Sequence, residues 1–103
     1  MKRVKATPQP NSPIITDAKS LGEFVRAART AEGMTIEAAA AIAGIAKQTL
    51  SDIEAGQETV SIGIVLRVLA DHGLTMFIAE NQHAARVVDT VAASIAVKQQ
   101  DQS

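Results

Sequence analysis

Glycines at positions 33, 44, 56 and 73 cut the middle of this chain into short segments, none with room for more than about four helical turns. Each segment carries apolar residues at helical spacing and ends on the residue type that best tolerates a left-handed helix cap. Helices this short are unstable alone in water, so they persist only by packing on one another. The pattern predicts an all-α domain of four or five short helices.

Ser20-Leu21-Gly22-Glu23 has the Ser-x-x-Glu spacing of a capping box, and Leu21, Val25 and Ala28 follow at i, i+4 and i+7. A first helix is therefore expected from Ser20 to about Ala31. Thr35 is a suitable N-cap for a second, Ile36 to Ala43, whose alanines 38–41 have the highest helix propensity. A third is expected from about Lys47 to Ala55, with Leu50 and Ile53 facing inward, so that two short helices meet at a tight corner. Ser61 is positioned to cap a fourth, ending at His72, with Ile62, Val65, Leu66 and Leu69 as its core stripe. Ile64 and Val68 then fall on another apolar face, which a second subunit would cover.

Beyond Gly73, Leu74-Thr75-Met76-Phe77-Ile78 suits an extended strand better than a helix. A lone strand needs a partner, and a twin subunit is the best source, with the Ile14 and Ile15 patch as the other. Ile64, Val68, Leu74, Met76, Phe77 and Ile78 are accordingly the expected dimer interface. From Ala84 to Val97 apolar residues recur at helical spacing despite many β-branched side chains, which predicts a last helix, frayed from Lys98 onward. The expected organisation is a flexible arm over 1–19, a helical domain over 20–73, a dimerisation strand over 74–80 and a C-terminal extension over 81–103.

At 103 residues and 47% hydrophobic, the chain fits one marginally stable domain that a dimer partner would help. The absence of cysteine excludes a disulfide scaffold, a thiolate metal site and a thiol nucleophile, and suits the reducing cytoplasm. The start MKRVK is basic, but TPQPNSP follows where a secretion signal needs an apolar run. The longest apolar run, Ala38 to Ala46, is too short for a membrane span. Charge is uneven. Lys2, Arg3, Lys5, Lys19, Arg26 and Arg29 face only Asp17 and Glu23 in the first 29 residues, whereas acids dominate the remainder. A basic segment of this kind serves a polyanion or is simply a solvated tail.

Met34-Thr35, Gly44-Ile45 and Leu50-Ser51-Asp52-Ile53-Glu54-Ala55-Gly56 are three ordered blocks. With Leu21-Gly22-Glu23 and the small residue Ala40, they resemble the helix-turn-helix of the Cro/C1-type (XRE) DNA-binding family over about residues 20–74. Arg67-Val68-Leu69 through Gly73-Leu74-Thr75-Met76 is similar to the HipB-type antitoxin branch. The resemblance implies a homodimeric transcriptional repressor with a C-terminal strand pairing across the dimer. It further implies an antitoxin role: neutralising a kinase-like toxin and repressing the toxin–antitoxin operon. It also implies that Arg29 and Glu54 form a structural ion pair between the first and third helices. Two positions depart from the family pattern. Ile36 stands where a phosphate-binding Gln is usual, and Ala46 where Ser or Thr caps the third helix.

The second helix of such a motif enters the major groove and presents its N-terminal side chains to base edges. Lys47, Gln48, Ser51 and Asp52 are the expected base readers. Lys47 and Gln48 lead, because Gln pairs bidentately with adenine and Lys donates to guanine, whereas Asp52 repels phosphate and can only accept from cytosine. Thr35, Thr49 and Gln57 are the expected phosphate contacts, each with a competing role as cap, helix surface or loop. The expected partners are a palindromic double-stranded DNA operator and a second copy of the chain, together with the toxin and without a membrane.

Catalysis finds little support. His72 and His83 lack metal-ligand spacing and read as surface residues; Asp52 and Glu54 point to different helix faces; no glycine is followed by the Lys-Ser or Lys-Thr of a phosphate loop. Neither a metal nor a cofactor is expected. The rival reading is a helical protein-binding adaptor that keeps the fold without binding DNA, which Ile36, Ala46 and the net charge of -1 permit.

Overall fold

The computed structural model describes residues 3–101, with side chains to residue 94. It contains α1 (Ala18–Ala31), α2 (Ile36–Ala43), α3 (Lys47–Ala55), α4 (Ile62–Asp71) and α5 (Asn81–Asp101), and no strand among the described residues. Lys2 of the basic arm and the side chains of Ile95, Val97 and Lys98 lie outside what is described. Contacts divide the chain into two units, one of Ile15–Met76 with the arm up to Asn11, the other of Ser12–Ile14 with the stretch from Phe77.

The first unit holds the core. Val25 of α1, Leu50 and Ile53 of α3, and Val65, Val68 and Leu69 of α4 are buried around Ala39 and Ala40 of α2. The two alanines carry almost no side chain, which lets α2 lie close to its neighbours. Helices α1 and α3 approach closely: a Cβ on Gly22 would fall on the backbone carbonyls of Ile53 and Glu54. Gly56 closes the same contact from the other side. Its φ of +82° requires glycine, and a Cβ there would sit 2.7 Å from the Cα of Lys19. One glycine from each side, both where the start of α1 meets the C-terminal end of α3, therefore sets how closely the two are held there.

Helix α1 starts a turn earlier than the capping-box spacing suggested. Asp17, not Ser20, is the N-cap: its carboxylate accepts the Ser20 N–H at 2.8 Å, and the Ser20 hydroxyl also donates to it. A carboxylate at this position both caps and complements the helix dipole, so it wins over a hydroxyl one turn later. The Ser20 hydroxyl, then its backbone N–H, hold the Asp17 carboxyl below the ordinary aspartate range. A lowered carboxyl contributes stability above its unfolded pKa, and that contribution is lost as pH falls through the folded value. Asp17→Asn keeps an acceptor but removes the titration. Thermal melts at neutral pH and near pH 3 should therefore lie closer together, by a few degrees, in the variant than in the parent. An unchanged gap would show that the cap charge contributes nothing.

The arm carries no regular secondary structure over 3–16 but is tied down at one point. The Thr7 N–H donates to the Thr30 hydroxyl at 2.9 Å, while that hydroxyl donates to the Arg26 carbonyl. Lys19, placed in the arm by the sequence reading, is in α1.

Two further expectations are corrected. In α4, Val68 is 1% exposed and belongs to the core, with Ile64 packed against it, whereas Ile62 and Leu66 stand exposed at 62% and 48%. The buried stripe is rotated by about one residue from the expected one, because α4 enters the common core through 65, 68 and 69 with 64 packed against it. The outward apolar pair is therefore Ile62 and Leu66, not Ile64 and Val68. The segment 74–80 forms no strand in the single chain, since a strand exists only as part of a hydrogen-bonded ladder and none of the described residues pairs with it. Leu74 instead packs against the core and donates its N–H to the Leu69 carbonyl, while Met76, Phe77 and Ile78 are exposed.

The second unit is built on α5, which begins three residues before the expected Ala84 and continues to Asp101. Ala84, Val87, Val88 and Val91 share one half-buried stripe at i, i+3, i+4 and i+7. Among the described residues no helix is long and apolar enough to cross a membrane.

Candidate nucleic-acid interface

The α2–α3 pair is held at its corner by backbone bonds. Gly44, in the left-handed conformation at φ 70°, donates its N–H to the Ala41 carbonyl, and Ile45 donates to that of Ala40 at 3.0 Å. From α4, Arg67 donates to the Ala43 carbonyl at 3.1 Å, an attachment the sequence reading assigned to no role. At the other end of α2, the Thr35 hydroxyl is engaged as N-cap, accepting the Ala38 N–H at 3.1 Å.

The orientation of α3 is fixed by an ion pair with α1. Arg29 reaches Glu54 through Nε at 2.7 Å and Nη2 at 2.9 Å, and its Nη1 donates to the Met34 carbonyl at 2.8 Å. The two side chains are only 10% and 8% exposed. A planar guanidinium with three of its donors committed to fixed acceptors clamps the C-terminal end of α3, the end of α1 and the approach to α2 in one geometry.

That clamp leaves the N-terminal end of α3 facing outward. Lys47 and Gln48 are exposed, while Thr49, Ser51 and Asp52 are half-buried. Ser51 lies in an open hollow of about 380 Å³ together with Arg26, Ile36 and the Arg29–Glu54 pair. The apolar departure at Ile36 thus borders the same surface as α3. Gln57 is exposed, and its backbone N–H is spent on the Asp52 carbonyl at 2.9 Å in closing α3. Ala46 gives α3 no side-chain cap, so the first amides of α3 are left to water or to an anionic ligand.

The two leading side chains are not idle. Gln48 donates through Nε2 to Asp52 at 2.9 Å, one turn along α3. This uses one amide hydrogen and leaves the other, with Oε1, for the bidentate pattern that adenine requires. Asp52 therefore orients Gln48. Lys47 pairs with Glu37 of α2 at 2.7 Å, both side chains about 60% exposed, and the Lys47 ammonium holds the Glu37 carboxyl below the ordinary glutamate range. Sequence reasoning missed Glu37, because its meeting with Lys47 depends on the angle at the corner and not on spacing within one helix.

His72 is not a surface residue: its side chain is 4% exposed, with Nδ1 3.4 Å from Glu32. His83 is exposed.

Comparison with known proteins adds the following. The family model described as a helix-turn-helix domain matches residues 20–75, just over half of the chain. A solved structure named "MDT Protein" superposes with a TM-score of 0.60 at 20% identity, covering 66% of this chain and 96% of that one, a likeness of fold. No curated protein matches. With a compact four-helix unit, a glycine corner between α2 and α3, and an outward N-terminal end of α3, the chain belongs to the helix-turn-helix domain family, whose paired helices are a DNA-binding device.

Proposed function

We propose that this protein is a sequence-specific, non-enzymatic transcriptional repressor that binds DNA as a homodimer. The observation that carries the reading is the presentation of α3: clamped at its C-terminal end by Arg29 and Glu54, it offers Lys47 and Gln48, the two side chains best suited to purine edges, at its free end. Ser51 and Asp52 are the lesser readers, and Thr35, Thr49 and Gln57 the phosphate contacts. Twofold symmetry would set two copies of α3 about 34 Å apart, on half-sites one helical turn from each other, and binding there would cover a promoter.

The exposed run Met76, Phe77 and Ile78 supports a second copy as its cover, with a strand forming over 74–80 only in that pairing. The resemblance to HipB-type antitoxins supports a kinase-like toxin as a further protein partner, with residues 81–103 as the extension that remains to reach it. A cytoplasmic, nucleoid-bound location follows from the DNA reading.

Gln48 supplies the test. With duplexes selected from a random pool by the parent protein, Gln48→Ala should lose about 1–3 kcal/mol of discrimination at one base pair of each half-site, while binding to unrelated duplex changes little. Equal losses on all sequences would make Gln48 a positioning contact, no loss on any would take it out of the interface, and a pool from which the parent selects no duplex would favour the adaptor reading.

A further inference from the structure

Across residues 35–57, which span both helices and the corner of the motif, Lys47 is the one basic residue, against Glu37, Asp52 and Glu54. Glu54 is neutralised by Arg29 and Asp52 is turned toward Gln48. Lys47 is therefore the cation that α2 and α3 themselves offer a polyanion, beside the exposed Arg26 of α1 at the hollow, and it is held at 2.7 Å by Glu37. Glu37 is in the first turn of α2, where the helix dipole favours a carboxylate. It thus stays ionised, and in place, at any neutral pH.

Resting on the DNA-binding reading above, we infer that Glu37 turns Lys47 from a counter-ion for phosphate into half of a neutral hydrogen-bonding pair, and so lowers the domain's sequence-independent affinity for DNA. An ammonium has three donors, of which the carboxylate takes one, so two remain to bond to guanine O6 and N7. What the pair lacks is net charge. Sequence-independent binding is driven by the release of counter-ions as protein cations neutralise phosphates, and a neutral pair releases none. The contact is half-exposed and exchangeable, so it weakens that binding without locking the lysine away.

The inference is tested by a double-mutant cycle of the parent, Glu37→Gln, Lys47→Ala and the double variant. Binding to a random-sequence duplex about three helical turns long is measured by fluorescence anisotropy over a series of salt concentrations. Glu37→Gln should bind about two- to fivefold more tightly and steepen the salt dependence by about 0.9 per bound protomer. In the Lys47→Ala background the same substitution should leave the salt dependence unchanged and give a smaller gain in affinity, because it then only relieves a carboxylate's repulsion of phosphate. A gain undiminished without Lys47 would show that Glu37 acts only as one more negative charge, and no gain in the parent background would show that the pair has no influence; either overturns the inference and leaves the DNA reading standing. Binding by none of the four proteins at the lowest salt overturns both.

Discussion

Gly22→Ala should destabilise the domain by about 3 kcal/mol or more, a large fraction of the 5–15 kcal/mol typical of a folded chain. Two effects oppose each other. Alanine is favoured over glycine inside a helix by about 1 kcal/mol, so on propensity alone the substitution would stabilise α1. Against this, the added methyl would fall on the carbonyls of Ile53 and Glu54, which belong to the α3 backbone and cannot turn aside as a side chain can. Separating α1 from α3 would open the contacts of Val25, Leu50 and Ile53 and disturb the Arg29–Glu54 pair at the same time. The steric term wins. Urea denaturation should show a lower midpoint with an unchanged slope, whereas a midpoint at or above that of the parent would mean that the helices are not held so close.

Glu54→Ala should cost about 3–5 kcal/mol, because it leaves the Arg29 guanidinium desolvated with one carbonyl, that of Met34, as its remaining acceptor. The loss would reflect a stranded charge rather than the net worth of the pair. Replacing both partners at once, Arg29→Met with Glu54→Leu, should therefore recover much of the stability lost by the single variant. Chemical denaturation of parent, single and double variants separates the alternatives, since a double variant no more stable than Glu54→Ala would show that the pair contributes to stability outright. The double variant should still bind DNA less well, since α3 would have lost the clamp that fixes its direction.

These expectations differ in how far the sequence reveals them. Helices α2 and α3 were legible to the residue, because Thr35, Gly44 and Gly56 are strong local signals at their ends. The start of α1 was not: the Ser-x-x-Glu spacing pointed to Ser20, and spacing alone carries no weight for the stronger carboxylate cap of Asp17 three residues earlier. The buried stripe of α4 differs from the expected one because the helix is apolar nearly all round, and only its packing on the other helices decides whether 62 and 66 or 64 and 68 face inward. The reading edge of α3 could be proposed from sequence, yet its internal partners differ in kind. The Gln48–Asp52 bond joins positions i and i+4 of one helix and is visible in spacing. The Lys47–Glu37 pair crosses the corner and needs the angle between two helices. The closeness of Gly22 to α3 is likewise a property of packing, although a glycine inside an otherwise good helix is a hint of it.

The central claim is that the free end of α3 reads a DNA sequence in two symmetry-related copies. Selection of duplexes from a fully random pool by the purified protein, at moderate salt and over several rounds, addresses it most directly. The result expected is enrichment of a palindrome whose half-sites are centred about one helical turn apart, with purine positions that lose their enrichment when Lys47 and Gln48 are replaced by alanine. A pool that remains random after repeated selection, with binding that depends on salt alone or is absent, would contradict the claim and leave a helix-turn-helix fold that serves a protein partner.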